Sequence, residues 1–219
     1  MNEIQNYILN DIEALDLNVG IAYALKIATN HKLTHIPIIN NGIFVGNLIS
    51  EDLEQATSEQ TIQDYDYALE TFFVLNTTNW FDVLQKFSKY DTNIVPVLNQ
   101  NNQYIGYYTL NDVIKLFSES TFLSEEGNTI VVEKTQQNYS FSEIAQIIES
   151  NNSKILGLFI NQIKDNIVQV SIKITPAELN TILQTFRRYD YEVISNHLDD
   201  SYINNLKNRS DYLDKYLNI

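Results

Sequence analysis

The first half of the sequence contains an internal repeat, and this repeat constrains the fold more than any other feature. The run Leu33–Ile49 reads LTHIPIINNGIFVGNLI, and the run Thr92–Thr109 reads TNIVPVLNQNNQYIGYYT. Pro37 and Pro96 lie 59 residues apart, and the second glycine of the first run lies 60 residues before the glycine of the second run. An offset this steady predicts that one structural unit occurs twice.

The two units, which we call copy one (residues 1–58) and copy two (residues 59–120), predict the same order of elements. Apolar residues at helical spacing come first: Ile21, Leu25 and Ala28 in copy one, and Trp80, Leu84 and Phe87 in copy two. An apolar strand that holds the proline follows, and an Asn/Gly turn joins it to a second strand. A short helix closes each copy, beginning near Asp52 or Asp112. The apolar runs are nearly continuous, which is typical of strands covered on both faces.

A different unit follows in the second half. Residues 121–127 are acidic and show no periodicity, which predicts a linker. Residues 128–198 predict the order βαββαβ, which is the ferredoxin-like split arrangement. Capping boxes at Ser140 and Thr175 predict the two helix starts, and residues 164–166 predict the turn between the middle strands.

Charge and composition exclude several classes of partner and of functional site. The chain has 14 basic and 28 acidic residues, a net charge of −14, which opposes binding to nucleic acid or to an anionic membrane surface. It has no cysteine, so disulfides, thiolate nucleophiles and zinc–thiolate sites are excluded. No signal peptide and no run of about 20 apolar residues is evident, so the cytoplasm is the expected compartment. The three histidines lack metal-ligand spacing, and no nucleophile elbow or dinucleotide fingerprint occurs, so no enzyme activity is expected.

The two strand–turn–strand units resemble the CBS motif. Each combines an apolar–Pro–apolar strand, a tight turn and an apolar–Gly step, and Gly106 is followed by Thr109 and Asp112 in a Gly-x-x-Thr-x-x-Asp pattern. Two copies resemble a CBS pair, which implies an α/β (α+β) fold with pseudo-two-fold symmetry. The second half resembles an ACT domain in its topology. Together they are similar to regulators of the acetoin-utilisation type.

The CBS resemblance implies an adenosine-containing ligand, such as AMP, ADP or ATP, in the clefts between the two copies. Thr109 and Asp112 hold the ribose by this analogy. In copy one Asp52 is present, but Ile49 stands where the threonine is expected, which removes a hydrogen bond worth about 0.5–1.5 kcal/mol. We therefore expect the better site in copy two. The residues beside the prolines flank the base by the same analogy: Asn93, Ile94 and Val95 in copy two, and Thr34, His35 and Ile36 in copy one.

Cations that could meet a phosphate are few, and most charges of this kind are solvated. By their position in the sequence, we expect His31, Lys32 and His35 near the cleft of copy one, and Lys89 and Lys115 near the cleft of copy two. No glycine-rich phosphate loop accompanies them.

Three hypotheses about the function remain at this stage. The first is a non-catalytic ligand sensor, assembled as a homodimer and acting on a regulated protein partner. Its tail, residues 199–219, predicts a helix that must pack on the body or on a second chain. The second is a structural or protein-interaction module with degenerate clefts, because Thr109 and Asp112 also form an ordinary helix cap. A hydrolase or transferase is a third hypothesis without a recognisable catalytic group.

Overall fold

The fold is known from a computed structural model, which describes residues 4–53, 56, 57, 59–195, 206 and 207. Two units are present, Met1–Phe117 and Ser118–Ile219. The predicted tail helix, residues 199–219, lies outside the described residues except for positions 206 and 207, which are helical.

Both copies of the repeat fold with the same elements in the first unit. Copy one contains β1 (Leu15–Asp16), α1 (Ile21–His31), β2 (His35–Asn40), β3 (Ile43–Ile49) and a 3₁₀ turn (Glu51–Leu53). Copy two contains β4 (Val74–Leu75), α2 (Trp80–Tyr90), β5 (Ile94–Leu98), β6 (Tyr104–Thr109) and α3 (Leu110–Ser118). Each copy has its own three-stranded sheet, in the orders β1-β2-β3 and β4-β5-β6. The closing helix predicted near Asp112 is present, whereas near Asp52 only the 3₁₀ turn is seen among the described residues.

The predicted hairpins are confirmed, down to a shared irregularity. Asn41 and Gly42 have φ angles of 52° and 81°, the left-handed pair that a two-residue hairpin turn requires. Each hairpin shifts register at the equivalent place, between Ile38 and Ile39 in copy one and between Val97 and Leu98 in copy two. The repeat in the sequence is therefore a repeat in backbone geometry.

The segment that leads into each copy packs on the other copy. Two 3₁₀ turns, Ile4–Tyr7 and Ile62–Ala68, occupy equivalent places. Ile4 is buried in the core of copy two, and Ile62 in the core of copy one. The backbone contacts also join each lead-in segment to the other copy. Leu9 forms a β-bridge with Tyr107 in β6 of copy two, and Glu70 forms one with Asn47 in β3 of copy one.

The pseudo-two-fold relation is visible in one reciprocal contact. Thr34 and Asn93 hold equivalent positions before β2 and β5, and they bond to each other. The Thr34 N–H donates to Asn93 Oδ1 at 3.0 Å, and the Asn93 N–H donates to Thr34 Oγ1 at 3.0 Å. Equivalent residues meet in this way only beside a two-fold axis, so the axis passes between them. The mixed α/β fold class, with two related halves, is confirmed.

The second unit has the predicted βαββαβ order. Its elements are β7 (Asn128–Thr135), α5 (Phe141–Ser150), β8 (Ile155–Lys164), β9 (Ile167–Ile174), α6 (Leu179–Arg188) and β10 (Glu192–Val193). They form a four-stranded sheet in the order β10-β7-β9-β8, in which all described pairings are antiparallel. Alternate residues of β9, from Val168 to Ile174, join the helices in one buried core. The predicted turn is also present, with Asp165 and Asn166 at φ angles of 49° and 63°.

One local prediction in this half was wrong, and the predicted linker has a part with regular structure. The predicted linker contains a helical turn, α4 (Thr121–Ser124). The predicted capping box at Thr175 does not form, since α6 begins only at Leu179. The Thr175 hydroxyl instead accepts a hydrogen bond from the Lys154 N–H at 3.0 Å and lies 3.1 Å from Ser153 Oγ. A tertiary contact therefore uses the oxygen that would have capped the helix.

Candidate functional site

A cavity of about 460 Å³ lies beside the start of α3 in the first unit, and we call it the copy-two cleft. Its volume is within the range of small-molecule sites. Three regions line it: Ile12 from the lead-in of copy one, His31, Lys32 and Leu33 from the end of α1, and Asn93, Ile94, Tyr107, Thr109, Leu110 and Asn111 from copy two. The cleft is therefore built by both copies.

Thr109 and Asp112 form one unit at the start of α3. Thr109 Oγ1 donates to Asp112 Oδ2 at 2.6 Å, and the Asp112 N–H donates to Thr109 Oγ1 at 3.1 Å. These two bonds complete the helix cap and orient the carboxylate. Thr109 lines the cleft, and both side chains are partly exposed. The carboxylate can therefore still accept hydrogen bonds from a ligand diol.

Asn93 connects the two copies by hydrogen bonds beside the cleft. Its Oδ1 accepts from Thr34, and its Nδ2 donates to the Lys32 carbonyl at 2.6 Å. These bonds tie the start of β5 to the end of α1. Asn93 thus lines the cleft, as the sequence suggested, but its side-chain amide already has protein partners.

Tyr107 closes one wall of the copy-two cleft. It is buried, and its hydroxyl donates to Asp11 Oδ1 at 2.8 Å. Burial and the Asp11 carboxylate both raise the pKa of this phenol, so it stays neutral and keeps donating. Nothing in the local sequence indicated Tyr107, Ile12 or Leu110 as wall residues, because their proximity depends on the crossing of the lead-in segment.

Two residues predicted beside the base do not face the cleft. Val95 and Ile36 are both 0% exposed, and they lie in the hydrophobic cores of copy two and copy one. Successive strand residues point to opposite faces, so Val95 must point away when Ile94 lines the cavity. The prediction for Val95 and Ile36 is corrected on this ground.

The equivalent place in copy one, which we call the copy-one cleft, is occupied by aromatic side chains. Phe72, two residues before β4, is 1% exposed. Its ring stacks on Tyr90 with centroids 4.3 Å apart and meets the His35 ring edge-on at 5.3 Å. Asp52 is exposed on the 3₁₀ turn that begins at Glu51.

His35 in the copy-one cleft is 4% exposed and lies among acidic groups. Its Nδ1 is 3.0 Å from Thr34 Oγ1, and its Nε2 is 3.3 Å from Glu70 Oε2. Burial lowers the pKa of His35 below its ordinary value of 6.5, and Glu70, Asp91 and Asp52 oppose this shift only in part. The imidazole is therefore held in its neutral form.

This burial predicts a pH dependence of stability. A lowered pKa favours the neutral form, so the contribution of His35 to stability is full above pH 6.5 and is lost as the pH falls below that value. We expect the free energy of unfolding of the wild type to fall more steeply than that of His35→Gln between about pH 7 and 5. Urea unfolding at several pH values measures both, and the other titrating groups cancel in the difference. Parallel profiles would contradict the prediction.

Three of the five predicted cations lie at the cleft of the other copy from the one predicted for them. His31 and Lys32 belong to copy one but line the copy-two cleft. Lys89 belongs to copy two, and its Nζ lies 5.2 Å from the ring centre of Tyr90 in the copy-one cleft. The end of each long helix thus contributes to the cleft of the other copy, which sequence position alone had assigned the other way.

Neither a membrane-spanning helix nor a metal-binding cluster is present among the described residues. No helix in them is long and apolar enough to cross a membrane. Within the same residues, no group of three or more His, Cys, Asp or Glu side chains is arranged to hold a metal ion.

Comparison with known proteins identifies a family signature in copy two. Residues 70–119 match the family model of the CBS domain. A curated relative, L-aspartate semialdehyde sulfurtransferase of Methanocaldococcus jannaschii, is 28% identical over 102 residues. That match covers 46% of this chain and 20% of the relative, so the chain spans about a fifth of its length.

Solved structures with a similar arrangement cover about half of the chain. A CBS domain pair/ACT domain protein from Thermotoga maritima is 17% identical, with a TM-score of 0.49, over 53% of this chain and 97% of that one. The CBS domains of a transcriptional regulator from Streptococcus pneumoniae are 21% identical, with a TM-score of 0.47, over 52% and 98%. CBSX2 in complex with AMP is 17% identical, with a TM-score of 0.43, over 52% and 95%.

Proposed function

We propose that this chain is a non-catalytic regulatory protein whose copy-two cleft binds an adenosine-containing ligand. The observation that carries the proposal is the Thr109–Asp112 pair at the edge of a cavity with apolar walls at Ile12 and Ile94. A carboxylate fixed in this way suits a vicinal diol, and flat apolar walls suit a purine ring. The CBS match over residues 70–119 supports the same ligand class.

Ligand binding acts by changing the relation between the two copies. The cleft is lined by α1 of copy one and by β5, β6 and α3 of copy two, so a ligand contacts both copies at once. It shifts an equilibrium between two arrangements only by its difference in affinity for them. The proposed output is the second unit, taken as an ACT-like domain, or a partner protein, within a cytoplasmic homodimer.

The two aspartates at equivalent positions provide a matched test of this proposal. We expect Asp112→Ala to weaken AMP, ADP or ATP binding at least about tenfold, because a hydrogen bond to a charged group contributes about 1.5–3 kcal/mol. Asp52→Ala should leave binding unchanged, since Phe72 and Tyr90 occupy the copy-one cleft. Isothermal titration calorimetry of the full chain measures both affinities.

Two results would count against the sensor. Equal loss of affinity in Asp112→Ala and Asp52→Ala would show that neither carboxylate is specific for the site. No binding of AMP, ADP, ATP, adenosine or S-adenosylmethionine at millimolar concentration would favour the structural or protein-interaction module instead. The stacking of Phe72 on Tyr90 in the copy-one cleft is the observation that supports this second function.

A further inference from the structure

A second cavity, of about 520 Å³, lies at the hairpin turns of the first unit, and we call it the hairpin cavity. Gly42 from the turn of copy one and Gln103 from the turn of copy two line it, together with Glu13 and Ala14 from the lead-in segment of copy one. It is lined by no residue of α3 and shares only Ile12 with the copy-two cleft. The hairpin cavity is therefore a separate feature that the proposed nucleotide site does not explain.

The register of the sheets shows which residues of the two copies are equivalent at this place. The first residues of β1 and β4 each pair with the residue that directly follows the proline of their copy. The residues just before these strands, Ala14 and Phe73, are therefore equivalent. Tyr104 is equivalent to Phe44 in the same way, because each pairs with the second residue after the proline.

An aromatic ring fills one of these two equivalent places and is missing from the other. The Phe73 ring meets the buried Phe44 ring edge-on, with the ring centres 5.8 Å apart. In the other place Tyr104 and Ala14 both line the hairpin cavity. The Tyr104 hydroxyl donates to the Ile12 carbonyl at 3.0 Å, which holds its ring in position. The hairpin cavity thus lies where the other half of the repeat packs a phenylalanine ring.

The walls of the hairpin cavity favour an apolar ligand that carries a positive charge. Ile39 and Ile105 line it beside Tyr104. Among the described residues that line the cavity, Glu13 carries the only charge, and its side chain is exposed. A carboxylate attracts a cation by Coulomb interaction, and the face of an aromatic ring attracts it as well. The net charge of −14 on the chain acts in the same direction.

We infer that the hairpin cavity binds a small aromatic amine, with the aromatic ring of the ligand beside Tyr104 and its ammonium group beside Glu13. The ligand ring takes the place that the Phe73 ring takes beside Phe44 in the other half of the repeat. This site is distinct from the copy-two cleft, and the inference does not depend on nucleotide binding.

Isothermal titration calorimetry of the full chain with three probes tests the chemical class of the ligand. Tyramine has both the ring and the ammonium group, n-butylamine has only the ammonium group, and 4-hydroxyphenylacetate has the same ring with a negative charge. We expect one tyramine per chain. The other two probes should bind at least about tenfold more weakly, because one lacks the apolar ring and the other is repelled by Glu13.

Two substitutions test the location of the site. Ala14→Phe supplies the ring that Phe73 supplies in the other half of the repeat, and it should weaken tyramine binding at least about tenfold by filling the cavity. Glu13→Gln should weaken it about threefold or more, since an exposed ion pair is lost. Glu59→Gln is the matched control, because Glu59 is exposed and does not line the cavity. It should leave the affinity unchanged.

Several results would overturn the inference and leave the proposed function standing. These are no tyramine binding at millimolar concentration, equal binding of tyramine and 4-hydroxyphenylacetate, and unchanged tyramine affinity in a folded Ala14→Phe protein. Equal effects of Glu13→Gln and Glu59→Gln would also overturn it. Circular dichroism without ligand shows whether each variant is folded. If Ala14→Phe does not fold, the comparison of Glu13→Gln with Glu59→Gln decides.

Discussion

Replacing Gly106 with alanine is expected to destabilise the first unit by about 2–6 kcal/mol. A Cβ atom there would lie 2.2 Å from the Leu9 carbonyl oxygen and 2.6 Å from Ile8 Cγ2. Gly106 also has φ of 148°, a conformation that residues with a side chain rarely adopt. Backbone strain and overpacking each cost about 1–3 kcal/mol.

The clash cannot be relieved cheaply, because the opposing atom belongs to an anchored backbone. Leu9 and Tyr107 exchange two backbone hydrogen bonds, of 2.9 and 2.8 Å. Moving Leu9 away from an alanine at 106 would break the bridge that joins the lead-in segment of copy one to copy two. The substitution therefore tests whether the lead-in segment of copy one packs on copy two, and not only the conformation at residue 106.

Gly20→Ala is the matched control for this experiment. Gly20 has an ordinary φ of −68°, and an added Cβ would meet only the Gln60 carbonyl oxygen, at 4.0 Å. We expect its free energy of unfolding to stay within about 1 kcal/mol of the wild type. Urea unfolding of both variants measures the difference. A Gly106→Ala protein as stable as Gly20→Ala would contradict the described path of residues 8 and 9.

Removing the aromatic ring of Phe72 is expected to cost about 3–5 kcal/mol, the usual range for truncating a buried phenylalanine to alanine. Phe72 is 1% exposed and contacts both Tyr90 and His35 through its ring. Phe72→Ala would leave a cavity in the copy-one cleft. Urea unfolding of the wild type and of Phe72→Ala measures this loss of unfolding free energy.

Tyr23→Ala is the control for Phe72→Ala, because Tyr23 is 54% exposed on α1. Removing a mostly solvated ring should change the stability by about 0.5 kcal/mol or less. A loss below about 1 kcal/mol in Phe72→Ala would show that the ring does not fill the copy-one cleft. The expectation that Asp52→Ala leaves nucleotide binding unchanged would then lose its structural basis.

The asymmetry of the two clefts follows from a few substitutions at equivalent positions. Ile49 replaces the threonine that caps α3 in copy two, and Asp91 stands where copy one has Lys32. Phe72 packs a buried ring against His35 in copy one, whereas Ile12 lines the copy-two cleft. The duplicated backbone is preserved, while one cleft holds the Phe72 ring and three carboxylates near His35 and the other remains a cavity. We propose that the first acts in stability and the second in binding.

The sequence by itself determined the elements of the repeat. The 59-residue offset, the Asn–Gly turn and the apolar periods predicted two helix–hairpin units, and the pattern of residues 128–198 predicted βαββαβ. These features are local, since turn chemistry and hydrophobic period act within a few residues. The placement of Thr109, Asn93 and Ile94 at a cleft came instead from the resemblance of the repeat to the CBS motif.

Only the tertiary structure decided on which copy each segment packs. The lead-in segments and the ends of α1 and α2 cross the pseudo-two-fold axis, so His31 and Lys32 line the cleft of copy two and not that of copy one. Two similar copies offer nearly equivalent apolar surfaces, and no local pattern distinguishes packing on one from packing on the other. The choice depends on long-range contacts such as the bridge from Leu9 to Tyr107 and the Thr34–Asn93 pair, which exist only once the chain has folded.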